Sequence, residues 1–334
     1  MDWSKGFSAE YEFVIVNKDS WEDERQIDFI SGSIDRGADS DLLESATVSI
    51  TESIGEEWIR IYLLAHQGGS FSRVPLFTGL TSSPERKLDG NRVTWDAACY
   101  SVLKPASDVL LERGFYAPAG SNAELVRKLL SVSPCPVEID GISPTLLTSI
   151  VAEDGETNLS MATKIINAMG WRIRIAGDGR ITLCGMGQES LAAFGNNNDD
   201  SIELDITDTY DWYSCPNVYR VIGDETGVAV ARDNSQDSML STVNRGREIW
   251  KEETGVVLSS GETLIEYAAR KLKEAQSPSR KLNYNRRYYE DITVGDVVSL
   301  NYPVHELVGE YRIISQSIEL GTGCRTTEEV MKIE

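Results

Sequence analysis

The residues that could do chemistry in this chain are few and badly spaced for it. Histidine occurs twice in 334 residues, at His66 and His305. That leaves a Ser–His pair or a histidine-rich zinc set without its usual supply. The five cysteines, at positions 99, 135, 184, 215 and 324, include no CxxC pair and are odd in number, which reads as reduced structural thiols. Gly185-Met186-Gly187 looks like half a dinucleotide loop. Ser190 stands at the third glycine position, however, and no strand–loop–helix frame with a following acid surrounds it. Gly321-Thr322-Gly323 lacks the lysine of a phosphate loop and reads as a turn. Asp199, Asp200, Glu203, Asp205, Asp208 and Asp211 could offer oxygen ligands to a cation. Yet Glu203 and Asp205 alternate with Ile202, Leu204 and Ile206, as the solvated face of a strand does. A carboxylate pair for glycoside cleavage needs one acid in an apolar pocket, and no pair is marked out in that way. The expectation is no catalytic residue, no cofactor and no metal.

The net charge is −21, from 53 acidic and 32 basic residues. A nucleic-acid binder normally carries the opposite sign, so specific nucleic-acid binding is not expected. Solubility explains the charge, and so does a surface that must repel polyanions. Tyr210, Trp212, Tyr213, Tyr219, Tyr284, Tyr288, Tyr289 and Tyr302, with Arg286 and Arg287, could stack bases. In so acidic a chain they fit a protein interface better. No apolar run reaches the roughly 20 residues of a membrane helix, and the first residues have no signal-peptide core. Synthesis in a cytoplasm follows as an expectation.

The elements that must position these residues are mostly strands. Tyr11, Phe13 and Ile15 alternate with Glu12, Val14 and Val16. Candidate strands follow at 27–34, 46–50, 58–65, 74–79 and 92–97. Turn-rich spacers separate them, among them 67–73, which reads as a mobile hairpin tip, and the loop 82–91. Short strands at this spacing predict an antiparallel sandwich or barrel. From Tyr100 the pattern turns helical. Ser121-Asn122-Ala123-Glu124 reads as a capping box before Leu125, Val126, Leu129 and Leu130. The clearest unit is 157–184. Asn158 or Thr157 caps a helix with Leu159, Ala162, Ile165, Ile166 and Met169 on one face. Gly170 stops it, Trp171, Ile173 and Ile175 alternate as a strand, and Gly177-Asp178-Gly179 turns the chain back. Residues 196–200 read as a boundary loop. Beyond it come a hairpin around Asp224-Glu225, a helix capped at 259–262, and strands to the end. That helix carries Leu264, Ile265, Ala268, Ala269 and Leu272 on one side.

The order of these pieces resembles a bacteriophage baseplate hub or tail-tip protein. LFTGLTSSPERKLDGNRVTWDAACYSVLKPASDVLL resembles the family's strand–hairpin–strand running into a helix at the end of its first barrel. AELVRKLL with LSMATKIINAMGWRIRIAGDGRITL resembles its middle module, related in outline to LysM-type folds. NVYRVIGDETGVAVARDNSQDSMLSTVNRGRE, then ETLIEYAARKLKEA and DITVGDVVSLNYPVHELVGEYRIISQSIEL, resemble its second barrel. The resemblance implies an α+β, mainly β fold: two tube-like antiparallel β-barrels flanking a small α+β middle module. The spans are 1–98 for the first barrel, 99–150 for a helical connection, 151–195 for the LysM-like module and 196–334 for the second barrel. It also implies a homotrimer at the virion tail tip that adapts a hexameric tail tube protein to a central spike protein. Tape measure protein and other baseplate proteins would be neighbours. The absence of a further domain after Glu334 favours a contractile tail. A bacteriocin particle or another injection system would look the same. Glu12, Asp28, Glu52, Glu203, Asp205 and Glu319 are the candidate channel-lining acids. The competing readings are a peptidoglycan-binding or peptidoglycan-hydrolysing tail-associated protein and a solitary carbohydrate-binding module.

Overall fold

The computed structural model describes residues 1–195, 201–203, 205–210, 212–223, 227–256, 263–276 and 280–333. The boundary loop 196–200, Leu204, Asp211, the Asp224-Glu225 turn and the cap 259–262 lie outside them. The chain is mainly β, 47% strand and 14% helix. It divides into two compact units, Met1–Ile206 with Asn283–Glu334, and Thr207–Leu282. The chain leaves the first unit after Ile206 and returns to it at Asn283.

In the first unit, strands β1 (Ser8–Val16), β2 (Asp23–Ile27), β3 (Phe29–Gly37), β4 (Glu44–Ile50), β5 (Trp58–Gln67), β6 (Ser70–Thr81), β7 (Glu85–Asp89) and β8 (Arg92–Ser101) come first. They pair in the order β3-β4-β8-β6-β5-β1-β2, with β7 on β8. Segment 67–73, expected as a loose tip, is strand almost throughout. Gln67 stands opposite Ser70 across Gly68-Gly69, whose φ values are +54° and +86°. Two adjacent glycines permit the mirror-image two-residue turn that matches strand twist. The expected loop 82–91 likewise contains β7, paired to β8 around Gly90.

Alternation places one set of side chains in a common core. Phe13 and Ile15 of β1, Ile34 of β3, Val48 and Ile50 of β4, Ile59, Ile61 and Leu63 of β5 and Ala97 of β8 are all buried together. Each aliphatic or aromatic side chain buried there contributes about 1.5–3 kcal/mol. Strands distant in the sheet order share this core, so the sheet is strongly curved. No closed barrel is detected among the described residues.

The middle segment holds α1 (Lys104–Asp108), β9 (Tyr116–Ala117), α2 (Ala123–Leu130), β10 (Val137–Ile139), β11 (Ile150–Val151), α3 (Asn158–Ala168), β12 (Trp171–Ile175) and β13 (Ile181–Gly185). Asn122 caps α2 by accepting from the Glu124 N–H. Thr157 caps α3 in a reciprocal box with Ser160. Gly170 follows α3 at φ +66°, a conformation glycine adopts without a Cβ penalty. The α3 face Leu159, Ala162, Ile165 and Ile166 packs with Val126 and Leu130 of α2 and with Ile181 and Leu183. Val16 and Trp58 join this second core, so β1 and β5 carry apolar side chains on both faces.

The second unit contains β15 (Thr207–Tyr210), which follows β14 (Ser190–Phe194) of the first unit in the chain. Next come β16 (Val218–Gly223), β17 (Gly227–Arg232), α4 (Thr242–Arg245), β18 (Trp250–Val256) and α5 (Leu264–Gln276). β16 is central, antiparallel to β17 and parallel to β18. Leu264, Ala268 and Leu272 of α5 cover Tyr219, Val221 and Ala229. Ile265 was expected on that face but is 71% exposed. The 100° step per residue carries it round to solvent while i, i+4 and i+8 face the sheet.

The chain then returns through β19 (Arg280–Arg287), β20 (Val297–Tyr302), β21 (Leu307–Glu319) and β22 (Arg325–Lys332). β21 joins the chain ends. Its first half pairs with β20, its second half pairs with β3, and β22 lies along its other edge.

Candidate functional site

Three features of the first unit could carry a role in assembly: a docked turn, a buried polar seam and a cleft. The turn is Gly177-Asp178-Gly179, which links β12 to β13. Its carbonyls meet the outer face of the first sheet. Thr78 Oγ1 donates to the Gly177 carbonyl at 2.8 Å, and Trp21 Nε1 and Arg60 Nη2 donate to the Asp178 carbonyl at 3.0 and 3.1 Å. A Cβ on Gly177 would lie 1.8 Å from the Pro75 carbonyl oxygen. Glycine is therefore required at 177 by close backbone approach, while at Gly179 it is the φ of +83° that favours it.

The seam runs where β3 meets β21. Arg36 Nε donates to Glu44 at 3.2 Å and its Nη1 to Gln316 at 2.7 Å; Nη2 also donates to the Leu76 carbonyl. Gln316 Nε2 donates to Glu328 at 2.8 Å. Glu328 also accepts from Arg286 Nε at 2.9 Å and Nη2 at 2.5 Å, and from the Tyr284 hydroxyl at 2.9 Å. All six side chains are buried. Burial opposes the Arg286 charge, but Glu328 more than offsets it and the guanidinium pKa rises. Sequence reasoning missed this network, although a signal was there. Glu44 shares strand parity with Ala46, Val48 and Ile50, Arg36 with Ile34, and Glu328 with Val330. A charged residue at an inward position announces a buried partner.

Glu44 is the weak point of the seam. Its Oε1 has no partner, and burial, opposed by Arg36, pushes its carboxyl up from the ordinary 4.5 to about 7. An acid with a raised folded pKa binds its proton more tightly in the folded state. Its contribution is fully present below about 4.5 and is lost as pH rises through about 7. Between pH 5 and 8 the wild-type melting temperature should therefore fall relative to that of Glu44→Gln. Parallel melting curves for the two proteins across that range would refute the assignment.

The cleft, about 750 Å3, lies between the β3–β4 turn, helix α3 with strand β12, and the segments 293–295 and 312–314. Trp171, Ile173 and Met186 supply apolar walls. Three guanidiniums gather around one carboxylate there. Arg172 and Arg174 both pair with the buried Asp296, the second at 3.5 Å. Arg312 donates to the Gly295 and Gly187 carbonyls at 2.7 and 3.1 Å. Desolvation first, then the charge of Arg172, lowers its pKa. Asp39 and Asp41 are exposed on the rim.

The six candidate acids fall in four places. Glu12 accepts from Arg73 Nε at 2.6 Å, and Glu52 pairs with Arg25 at 2.6 Å. Asp28, between β2 and β3, is exposed, and its carbonyl accepts from the Thr51 N–H. Glu203 accepts twice from Arg325, at 3.1 and 2.6 Å, while Asp205 and Glu319 lie near enough to help raise the pKa of that arginine. The structure thus brings Glu203, Asp205 and Glu319 together around one cation and leaves the others apart. Among the described residues no group of three or more metal-ligating side chains occurs, and no helix is long and apolar enough to cross a membrane.

No protein-family model matches the chain, and no curated protein matches it. Solved structures do. A tail protein from Neisseria meningitidis MC58 superposes with a TM-score of 0.66 at 16% identity, covering 98% of this chain and 97% of that one. The 43 kDa tail protein of prophage MuSo2 from Shewanella oneidensis gives 0.66 at 13% identity, covering 97% and 98%. VgrG-containing complexes align as well. The half-lidded Francisella PdpA-VgrG complex gives 0.56 at 6% identity, over 98% of this chain and 58% of that one. The chain thus shares its fold, over nearly its whole length, with these two tail proteins.

Proposed function

We propose that the chain is the structural hub of a phage or phage-like contractile tail baseplate. Three copies form a ring that adapts the hexameric tail tube to the central spike and lines the ejection channel. The observation that carries this reading is the superposition on two tail proteins, over 98% of this chain and 97% of the first and over 97% of this chain and 98% of the second. The chain works by assembly rather than turnover, in keeping with neighbours that are structural components. The two β-rich arms stand as the tube-like parts of the ring, and tube, spike and tape measure proteins are its partners. Asp28, Asp205 and Glu319 are the stronger candidates for lumen charge, since Glu12, Glu52 and Glu203 are already matched by arginine. Within about 8–10 Å of a wall, carboxylates still repel phosphate at physiological salt. Sedimentation of the purified chain should give a trimer mass, and imaging of assembled tails should show three copies between tube and spike. A chain that is monomeric in solution and absent from the tail tip would sink the proposal.

A further inference from the structure

The cleft beside β12 has a counterpart elsewhere on the same unit. The loop 140–147, between β10 and β11, carries two aliphatic side chains almost wholly in water: Ile142 is 98% exposed and Leu147 is 94% exposed. Asp140, at the start of that loop, is exposed too. An acid next to a bare isoleucine is the chemistry the cleft would recognise. Its wall holds more guanidinium than carboxylate around Asp296, beside the apolar surfaces of Trp171, Ile173 and Met186. We propose that the cleft of one subunit receives the 140–147 loop of a second copy of this chain. Asp140 would meet the Arg172–Arg312 wall, and Ile142 would enter the apolar part.

The proposal rests on the hub reading in one respect: it requires more than one copy. Charge supplies the physical reason. Copies that each carry −21 repel one another, so an oligomer needs a contact where opposite charges meet. Around Asp296 the cleft wall offers such a contact, since Arg172, Arg174 and Arg312 gather there about a single carboxylate. Asp39 and Asp41 also line the cleft and repel an incoming acid, so the contact requires Asp140 to lie nearer the guanidiniums than those carboxylates. Loop and cleft are different patches, so the contact is heterologous and builds a ring when its rotation closes.

The test is the assembly equilibrium measured by sedimentation over a range of protein concentration. Ile142→Asp alters a side chain that contacts almost nothing within its own subunit. It should leave the unfolding transition in place and weaken assembly by at least about thirtyfold. Arg312→Glu and Asp140→Arg should each weaken assembly, and the double variant should recover most of the loss, because the charge pair is restored with its sign exchanged. Should Arg312→Glu fail to fold, the Ile142→Asp result decides. Trimers that form with wild-type affinity in Ile142→Asp overturn the inference and leave the hub reading standing. A wild-type chain that stays monomeric at every concentration overturns both.

Discussion

Replacing Glu328 by alanine should destabilise the first unit by about 3–5 kcal/mol, the range for removing one partner of a fully buried ion pair. Arg286 and Glu328 both have 0% side-chain exposure, so water cannot take over the lost interaction. Glu328 is also shared. Arg286 holds it with two bonds, Tyr284 with a third and Gln316 with a fourth. Deleting it strands a guanidinium, a phenol and an amide together. The loss should exceed that of Glu203→Ala, which removes an exposed pair with Arg325 that water and salt screen. Replacing Arg286 and Glu328 together by leucine and methionine should recover much of the stability, since a packed apolar pair avoids the desolvation cost. Denaturant unfolding of the four proteins tests the account. An alanine variant that unfolds within 1 kcal/mol of wild type, a threshold on the order of one ordinary hydrogen bond, would show that the seam contributes little.

Gly177→Ala should be the most damaging single-methyl change in the middle segment. The new Cβ would stand 1.8 Å from the Pro75 carbonyl oxygen and 2.5 Å from its carbon, both backbone atoms of β6. A side chain can rotate away from an added methyl, but a paired strand cannot. The turn would have to lift, and the hydrogen bonds from Thr78, Trp21 and Arg60 would lengthen together. The expected loss is at least about 2 kcal/mol, towards the upper part of the overpacking range. Hydrogen exchange should rise first in β12 and β13, ahead of the strands of the first core. Gly6→Ala is the control, because nothing lies within 4 Å of a Cβ there. It should change stability by less than about 0.5 kcal/mol. Equal melting temperatures for Gly177→Ala and wild type would refute the docking argument.

The elements of this protein were legible because they depend on neighbours in sequence. The Thr157 cap, the α3 apolar face, Gly170 and the Trp171–Ile175 alternation are local signals, and the structure has each of them where the residues put it. The shortage of histidine and of paired cysteines likewise needed no fold to be read. At the 67–73 hairpin tip only the length of the turn was out of reach, because glycine and serine signal a turn without saying how short it is. The pairing of β21 with β3 lay out of reach. Each strand has two edges of generic backbone donors and acceptors, and the choice of partner is made by the whole core. The same choice placed Arg36, Glu44, Gln316, Arg286 and Glu328 in one network, from stretches nearly three hundred residues apart, a separation of 280 positions between Arg36 and Gln316. Composition and periodicity determined what this chain could be built from and which chemistry it lacks. Only tertiary structure decided which charges are buried, which acids are already neutralised and where three guanidiniums gather around one carboxylate, because burial and pairing are properties of position in space.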